Sequence, residues 1–376
     1  SLCQIMLLDS ARIQERDLER VNKRRKKRGE ETLELLYEEE DVEKAMSLFQ
    51  EIHLNKPFYL EEGIKVEYYN AGHILGSAGI MIDFEEDHHT KKLYFTGDIG
   101  RPNDKILSSP AEFPQADYII CESTYGNRLH EPEVDMKAHL LEIVHNTCVK
   151  KRGKLIIPAF AVDRTQELVY ALDQLENEGK LPHIPVYVDS PLAVQATMVM
   201  KRHREDFNPE ILKYIERDGD AFGFNNLHYI TDVNDSKALN NYDKPCIIIS
   251  ASGMAEAGRI KNHIANNVEK ARKKKLMVGY CSPNSLGQQL KSGEPIVKIF
   301  GEEKFVKAEI AIMDSFSAHA DYTEMIGLLK CQDPQKVKKL FLVHGEIETQ
   351  TEFKKKLEVE GFKNVVIPAQ GEWIEL

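Results

Sequence analysis

What this 376-residue chain lacks narrows its reading before any motif is considered. No apolar run is long enough to cross a bilayer; the first, Cys3 to Leu8, is short and is followed at once by Asp9. No signal-peptide pattern opens the chain, so a cytoplasmic protein with no membrane partner is expected. The six cysteines, at 3, 121, 148, 246, 281 and 331, form no C-x-x-C pair, which argues against thiolate zinc sites of the ribbon or finger type. Several sit in apolar runs, such as Cys121 after Tyr118-Ile119-Ile120 and Cys246 before Ile247-Ile248-Ile249, and read as buried reduced thiols. An excess of positive charge is missing as well. The net charge of −11 counts against a general polyanion binder, because non-specific nucleic-acid affinity comes largely from phosphate neutralisation by Lys and Arg. A local basic cleft stays compatible with it. The densest basic run, Lys23-Arg24-Arg25-Lys26-Lys27-Arg28, neighbours acidic stretches such as Glu38-Glu39-Glu40-Asp41 and reads as a solvated surface at least as well as an RNA contact. Internal repeats and low-complexity linkers are absent too.

What is present is an ordinary globular composition, 42% hydrophobic and 30% charged, in a length that suggests two or three domains. Asp9 to about Glu51 reads as charged helices. From Ile64 short strand-like runs alternate with helical stretches, the α/β pattern. Strands are expected at 66–69, 80–84, 93–96, 118–121, 155–157, 186–188, 246–250, 276–280, 308–313 and 340–343. Helices are expected at 136–147, 165–178, 259–274, 322–330 and 348–360. Glu85-Glu86-Asp87-His88-His89-Thr90 reads as a polar hairpin turn.

Five strands end directly in an ionisable or hydroxyl residue beside Gly, Ser or Thr: Ala71-Gly72-His73, Thr96-Gly97-Asp98, Cys121-Glu122-Ser123-Thr124, Val188-Asp189-Ser190 and Val343-His344-Gly345. Ligands and catalysis collect at the carboxyl ends of strands in α/β folds. The pattern alone fits either a metal or catalytic site or coincidental loop chemistry. His73, Asp98 and His344 would give zinc two imidazoles and a carboxylate. That set suits one metal poorly, and a two-metal phosphodiester site would need further ligands, with the carboxylate as the natural bridge. His319, between small residues in Ser317-Ala318-His319-Ala320-Asp321, could be a general acid oriented by Glu122, or a cap at the start of the next helix.

Taken together, Ala71-Gly72-His73-Ile74-Leu75-Gly76-Ser77-Ala78, Phe95-Thr96-Gly97-Asp98-Ile99-Gly100, Glu122-Ser123-Thr124-Tyr125-Gly126-Asn127-Arg128, Phe316-Ser317-Ala318-His319-Ala320-Asp321 and Leu342-Val343-His344-Gly345-Glu346 resemble, in the same order, the β-CASP branch of the metallo-β-lactamase superfamily. The resemblance covers essentially the whole chain. It implies an αββα sandwich with an inserted β-CASP α/β domain, and zinc-dependent hydrolysis of RNA by a metal-bound hydroxide. It also implies roles: His73 on the first zinc, Asp98 bridging two, His344 on the second, and His319 paired with Glu122 as proton donor. Arg164, Tyr125, Arg128, Arg259, Ser317 and the turn at Ser252-Gly253 become candidates for RNA or phosphate contact. A plain strand-to-helix turn explains Ser252-Gly253 equally well, and a carboxylate partner would explain Arg164. His130 and His139 match no metal motif and read as structural or exposed.

The chain departs from the family in one respect. The His-x-His-x-Asp-His signature is absent from its 13 histidines, of which only His88-His89 are adjacent. The resemblance therefore implies a start in mid-domain, with a sandwich lacking its N-terminal strands, and the Ser1-Leu2 opening fits that. The expected division is residues 1–126 and 318–376 as an incomplete metallo-β-lactamase domain around a β-CASP domain at 127–317. Three expectations follow: weak or no zinc binding by this polypeptide although a complete site would hold two ions, impaired hydrolysis, and an exposed apolar sheet face that drives homo-oligomerisation, most simply to a dimer. A noncatalytic RNA-binding or assembly subunit is the alternative. A small-molecule hydrolase is less well supported, since a whole added domain carrying Arg164 and Arg259 would be unnecessary for it.

Overall fold

The computed structural model describes residues 2–86, 88–130, 136–279, 281–313 and 317–376. By contacts these divide into two units: Ser1–Gln50, Glu133–Arg204 and Asp218–Phe316 in one, Glu51–Pro132, Glu205–Arg217 and Ser317–Leu376 in the other. None of the described helices is long and apolar enough to cross a membrane.

The described strands of the second unit all lie in one seven-stranded sheet. Its order is β1 (Phe58–Glu61), β2 (Ile64–Asn70), β3 (Ala78–Glu86), β4 (His89–Phe95), β5 (Tyr118–Glu122), β14 (Lys339–Val343) and β15 (Val365–Val366). The first four pair antiparallel and the rest parallel. The expected hairpin is present, with Glu86 opposite His89; Asp87 lies outside the described residues. Side chains alternate between two faces along each strand. Met81, Tyr94, Ile119, Leu340 and Val365 stand side by side across the strands on one face, in a buried core with Met325 and Leu329 of α10 (Tyr322–Leu329) and Phe353 and Leu357 of α11 (Ile347–Val359). The opposite face carries the row Tyr68, Ile80, Phe95, Ile120, Phe341 and Val366, with Val66, Ile82 and Leu93 beside it. Most of these side chains are half-buried and Phe95 is 40% exposed.

The first unit holds a six-stranded, wholly parallel sheet in the order β13 (Glu309–Met313), β10 (Lys274–Val278), β6 (Lys154–Pro158), β9 (Cys246–Ser250), β7 (Val186–Val188) and β8 (Leu227–Tyr229). Every residue of β6, β9 and β10 is buried, as expected of strands covered on both faces. A separate hairpin pairs β11 (Ile296–Ile299) with β12 (Glu302–Phe305). The helices are α1 (Leu2–Lys27), α2 (Glu39–Ser47), α3 (Met136–Val144), α4 (Arg164–Asn177), α5 (Pro191–Met200), α7 (Val233–Asn241), α8 (Gly258–Asn267) and α9 (Leu286–Lys291); α6 (Pro209–Asp218) crosses the boundary between the units. The opening helix α1 packs on α5, which is why the first fifty residues group with this unit.

Three of the buried strand residues are lysines; Lys274 pairs with Glu309 at 2.9 Å, and helix ends explain the other two. Lys154 Nζ donates to the carbonyl of Leu239 at 2.7 Å, in the last turn of α7, and Lys275 Nζ to that of Asn267 at 3.2 Å, the last residue of α8. The final carbonyls of a helix have no partner within the helix and carry the negative end of its dipole, so a cation there is well placed. Burial nevertheless pushes Lys275 down to about 7, helped by Lys273, Lys270 and Lys154 nearby.

Candidate active site

Strands β2 and β4 both pair antiparallel with β3, while β4, β5 and β14 run parallel, so the carboxyl ends of β2, β4, β5 and β14 share one edge. His73, Asp98, Glu122 and His344 sit at those ends. The turn carrying His73 is fixed by short polar side chains: Asn70 Oδ1 accepts from the Gly72 amide at 2.9 Å, and Ser77 Oγ from those of His73 and Ile74 at 3.0 and 3.2 Å. Glycine is obligatory here. Gly72 has φ 65°, and a Cβ on Gly100 would lie 1.8 Å from the Gly72 carbonyl oxygen. His344 has φ 52°, a left-handed conformation uncommon outside glycine and asparagine, and Thr124 Oγ1 donates to its carbonyl at 3.1 Å.

The Asp98 carboxylate presents one oxygen to each of two imidazoles. Its Oδ2 is 3.8 Å from His73 Nε2 and its Oδ1 is 3.5 Å from His344 Nε2. Both separations are too long for hydrogen bonds. They are near the spacing of donors sharing an ion, since two ligands about 2.0–2.2 Å from a tetrahedral zinc lie about 3.3–3.6 Å apart. Burial and the neighbouring His319 push His73 down to about 4, so at neutral pH its ring is uncharged, as a ligand must be. The donor set therefore fits a metal, with His73, Asp98 and His344 as holders and Asp98 able to serve two ions.

His319 stands beside them, its ring centroid 4.4 Å from that of His73 and 5.8 Å from that of His344. Its Nδ1 lies 3.1 Å from Glu122 Oε1, which also accepts from the Ile99 amide at 2.6 Å. Glu122 Oε2 accepts from the Thr124 amide at 3.2 Å. Burial alone would raise the Glu122 carboxyl, but the contacts from His319, Thr124 and Ile99 hold it below the ordinary carboxylate range. An ionised Glu122 places the shared proton on His319 Nδ1.

The structure brings His73, Asp98, Glu122, His319 and His344 together and sets the other candidates in varied surroundings. Tyr125 is buried with its ring 6.2 Å from that of His319, and the exposed Arg128 lies over the Tyr125 ring at 5.9 Å. Ser317 is buried, and Phe316, in the same string, lies outside the described residues. In the other unit, Arg164 is 4% exposed and paired with Asp163 and Glu167, so reaching RNA would mean breaking those pairs. Arg259 spends its guanidinium on Asp189 Oδ1 at 2.7 Å and on the carbonyls of Ile230 and Thr231. Ser252 Oγ accepts from the Ala257 amide at 3.3 Å, and a Cβ on Gly253 would meet the Phe160 ring at 2.7 Å. His139 is exposed.

Two groupings went unforeseen. Asp189, one of the five strand-end residues, is wholly buried and shared by His263, Ser236 and Arg259. Around His319, His130 Nε2 lies 2.9 Å from the His319 carbonyl, while Asp321 and Glu324 form a capping box at the start of α10. The Asp-x-x-Glu spacing was a legible signal for that box; nothing in the sequence singled out His130.

The description "Beta-Casp domain" matches residues 165–290, and "Zn-dependent metallo-hydrolase RNA specificity domain" matches residues 305–368. Among curated proteins, Ribonuclease TTHA0252 of Thermus thermophilus is 31% identical over 86% of this chain and 72% of its own length. The RNase J-like protein of Methanocaldococcus jannaschii is 31% identical over 82% of this chain and 70% of its own. Endoribonuclease ysh1 of Schizosaccharomyces pombe is 30% identical over 83% of this chain but 40% of its own length.

Proposed function

Since the chain belongs to the β-CASP family of the metallo-β-lactamase superfamily, we propose that it acts on RNA as a zinc-dependent hydrolase of phosphodiester bonds. The observation that carries this reading is Asp98 set between His73 and His344 with the His319–Glu122 pair alongside. The printed names of the relatives, ribonuclease and endoribonuclease among them, support RNA as the substrate. Zinc, when bound, would supply positive charge against the phosphate and a water acidified to near neutrality. The chain's own residues do the rest. Glu122 holds one proton of His319 on Nδ1 and stabilises the imidazolium, so when the ring carries a second proton on Nε2 it can give that one to the departing oxygen and return to the neutral Nδ1–H form.

His73, Asp98 and His344 are three ligands where two zincs need more, so zinc is expected to be held weakly by these residues and hydrolysis to be slow. The absence of a His-x-His-x-Asp-His signature from the 376 residues favours one second reading, a noncatalytic RNA-binding or assembly subunit. The inserted-domain organisation, with residues 127–317 as the β-CASP domain, is part of the proposal and is supported by the family match at 165–290.

Zinc per chain and cleavage of an end-labelled RNA decide between the readings, measured on this polypeptide, on the full product of its gene, and on the Asp98→Asn and His319→Ala variants. The nuclease reading expects the full product to cleave. Asp98→Asn should lower both zinc content and cleavage. His319→Ala should lower kcat about 10²–10⁴-fold with zinc unchanged. RNA binding without cleavage or zinc in every form would establish the noncatalytic reading instead.

A further inference from the structure

We infer that His130 is a positioning residue for His319, holding the backbone of that residue and so aiming its ring. Only the final step, what the ring then does to RNA, rests on the ribonuclease reading. His130 Nε2 is 2.9 Å from the His319 carbonyl oxygen, and because a carbonyl only accepts, His130 must carry its proton on Nε2 and donate. The His130 side chain is 6% exposed, so the bond is shielded from water. Its ring is fixed from behind by Tyr125, centroid to centroid 5.3 Å, and its amide donates to Asp321 Oδ2 at 3.0 Å.

The same few residues hold the whole backbone around His319. The Ala320 amide donates to the Ile99 carbonyl at 2.8 Å, and the Asp321 amide to Glu324 Oε2 at 2.9 Å. Glu324 Oε1 lies 3.4 Å from Arg101 Nε. The segment is thus tied to the Ile99–Arg101 turn on one side and to His130 on the other. Glu122, which accepts a hydrogen bond from His319 Nδ1–H, also accepts from the Ile99 amide, so both ends of the proton-donor pair refer to one frame.

His130, Asp321 and Glu324 also lie close enough together to suggest a second metal site. The hydrogen bonds argue otherwise. The ring nitrogen nearest the carboxylates is occupied by the His319 carbonyl, Asp321 caps α10 through the Thr323 and Glu324 amides, and Glu324 meets Arg101. All three side chains have work that a metal would interrupt.

Misplacing a catalytic group by about 1 Å can cost on the order of 100-fold in rate, so a backbone tether at the proton donor is consequential. The test compares His130→Phe, which keeps an aromatic ring but removes the donor, with His130→Gln, which restores an N–H donor. In the metal-free chain, labelled with ¹⁵N-histidine, the His319 ring should show one tautomer, protonated on Nδ1, in the wild type and in His130→Gln. In His130→Phe its two nitrogens should shift toward averaged values while thermal stability stays within a few degrees. In the zinc-loaded full gene product, kcat should fall about 10-fold or more in His130→Phe with KM unchanged, and recover in His130→Gln. An unaltered His319 tautomer in a folded His130→Phe would overturn the inference. If no form cleaves RNA, the nuclease reading fails, while the ring spectra still decide what His130 does. Should His130→Phe fail to fold, His130→Gln against His130→Asn, whose amide is one methylene shorter, gives the same comparison; identical His319 spectra in those two would likewise overturn it.

Discussion

A methyl group is enough to probe the site, because its turns are built around glycine. A Cβ at Gly100 would stand 1.8 Å from the Gly72 carbonyl oxygen and 2.5 Å from the His73 amide nitrogen, and neither atom belongs to a flexible side chain. Gly100→Ala must therefore displace the His73 turn. The expected outcome is a loss of about 1–3 kcal/mol in denaturant unfolding together with weaker zinc binding. Gly327→Ala is the control. Gly327 lies inside α10, nothing would stand within 4 Å of its new Cβ, and a gain of about 0.5–1 kcal/mol is expected. Equal destabilisation by both variants would refute the close-approach argument. At this scale the sequence was unusually legible. Ionisable residues beside Gly, Ser or Thr at strand ends marked His73, Asp98, Glu122 and His344, with Asp189, without any knowledge of which strands would be neighbours. Arg164 and Arg259 were less legible, since a cation at a helix start looks alike whether it meets phosphate or, as here, a carboxylate on its own or a nearby element. His130 was silent because its partner is a backbone carbonyl 189 residues away.

Elements were readable wherever local pattern and tertiary demand agreed. The ten apolar runs expected as strands all contain strand residues, whereas the two-residue β15, the three-residue β8 and the β11–β12 hairpin carry too short a signal to find. The instructive miss is the helix expected over 259–274. It stops at Asn267, and Lys274 already belongs to β10. Lysine favours helix intrinsically, but pairing with β13 and β6 overrides that preference in the middle of a parallel sheet. The cost is borne by Lys275, fully buried and lowered to about 7 from an ordinary 10.5. Between those values the unfolded chain binds a proton that the folded chain does not, so this residue makes stability rise with pH from about 7 to 10.5. Lys275→Met removes both the burden and the slope, though it leaves the Asn267 carbonyl without its donor. Relative to wild type, the variant should be favoured most near pH 7, and its advantage should shrink steadily toward pH 10 in thermal melts at stepped pH. A difference independent of pH across that range would show Lys275 to be charged throughout.

For the whole molecule, the order of the five strings along the chain was enough to indicate the family, but not the way the opening helices group. Nothing local in α1 says that it packs on α5, some 165 residues downstream in sequence. The apolar face of the seven-stranded sheet follows from strand alternation. One set of alternate residues, Ile64, Val66 and Tyr68 of β2, Ala78, Ile80, Ile82 and Phe84 of β3, Leu93 and Phe95 of β4 and Ile120 of β5, is largely apolar, while the other mixes Tyr69, Met81, Tyr94 and Ile119 with Lys65, Glu67, Asp83 and Lys92. In the second unit one set meets α10 and α11, while in the row from Tyr68 through Ile80, Phe95, Ile120 and Phe341 to Val366 all but the buried Phe341 are half-buried or exposed, with no second sheet among that unit's described strands to cover it. A contiguous surface of that kind tends to find a partner, and in a solution of this polypeptide alone the available partner is another copy. We therefore expect a homodimer, with a light-scattering mass near twice the 43.0 kDa of one chain. Ile82→Lys, in the middle of the face between Val66 and Leu93, should shift it toward one chain mass without changing the far-ultraviolet circular dichroism. A monodisperse wild-type monomer would remove the dimer. A dimer indifferent to Ile82→Lys would place the contact on another surface.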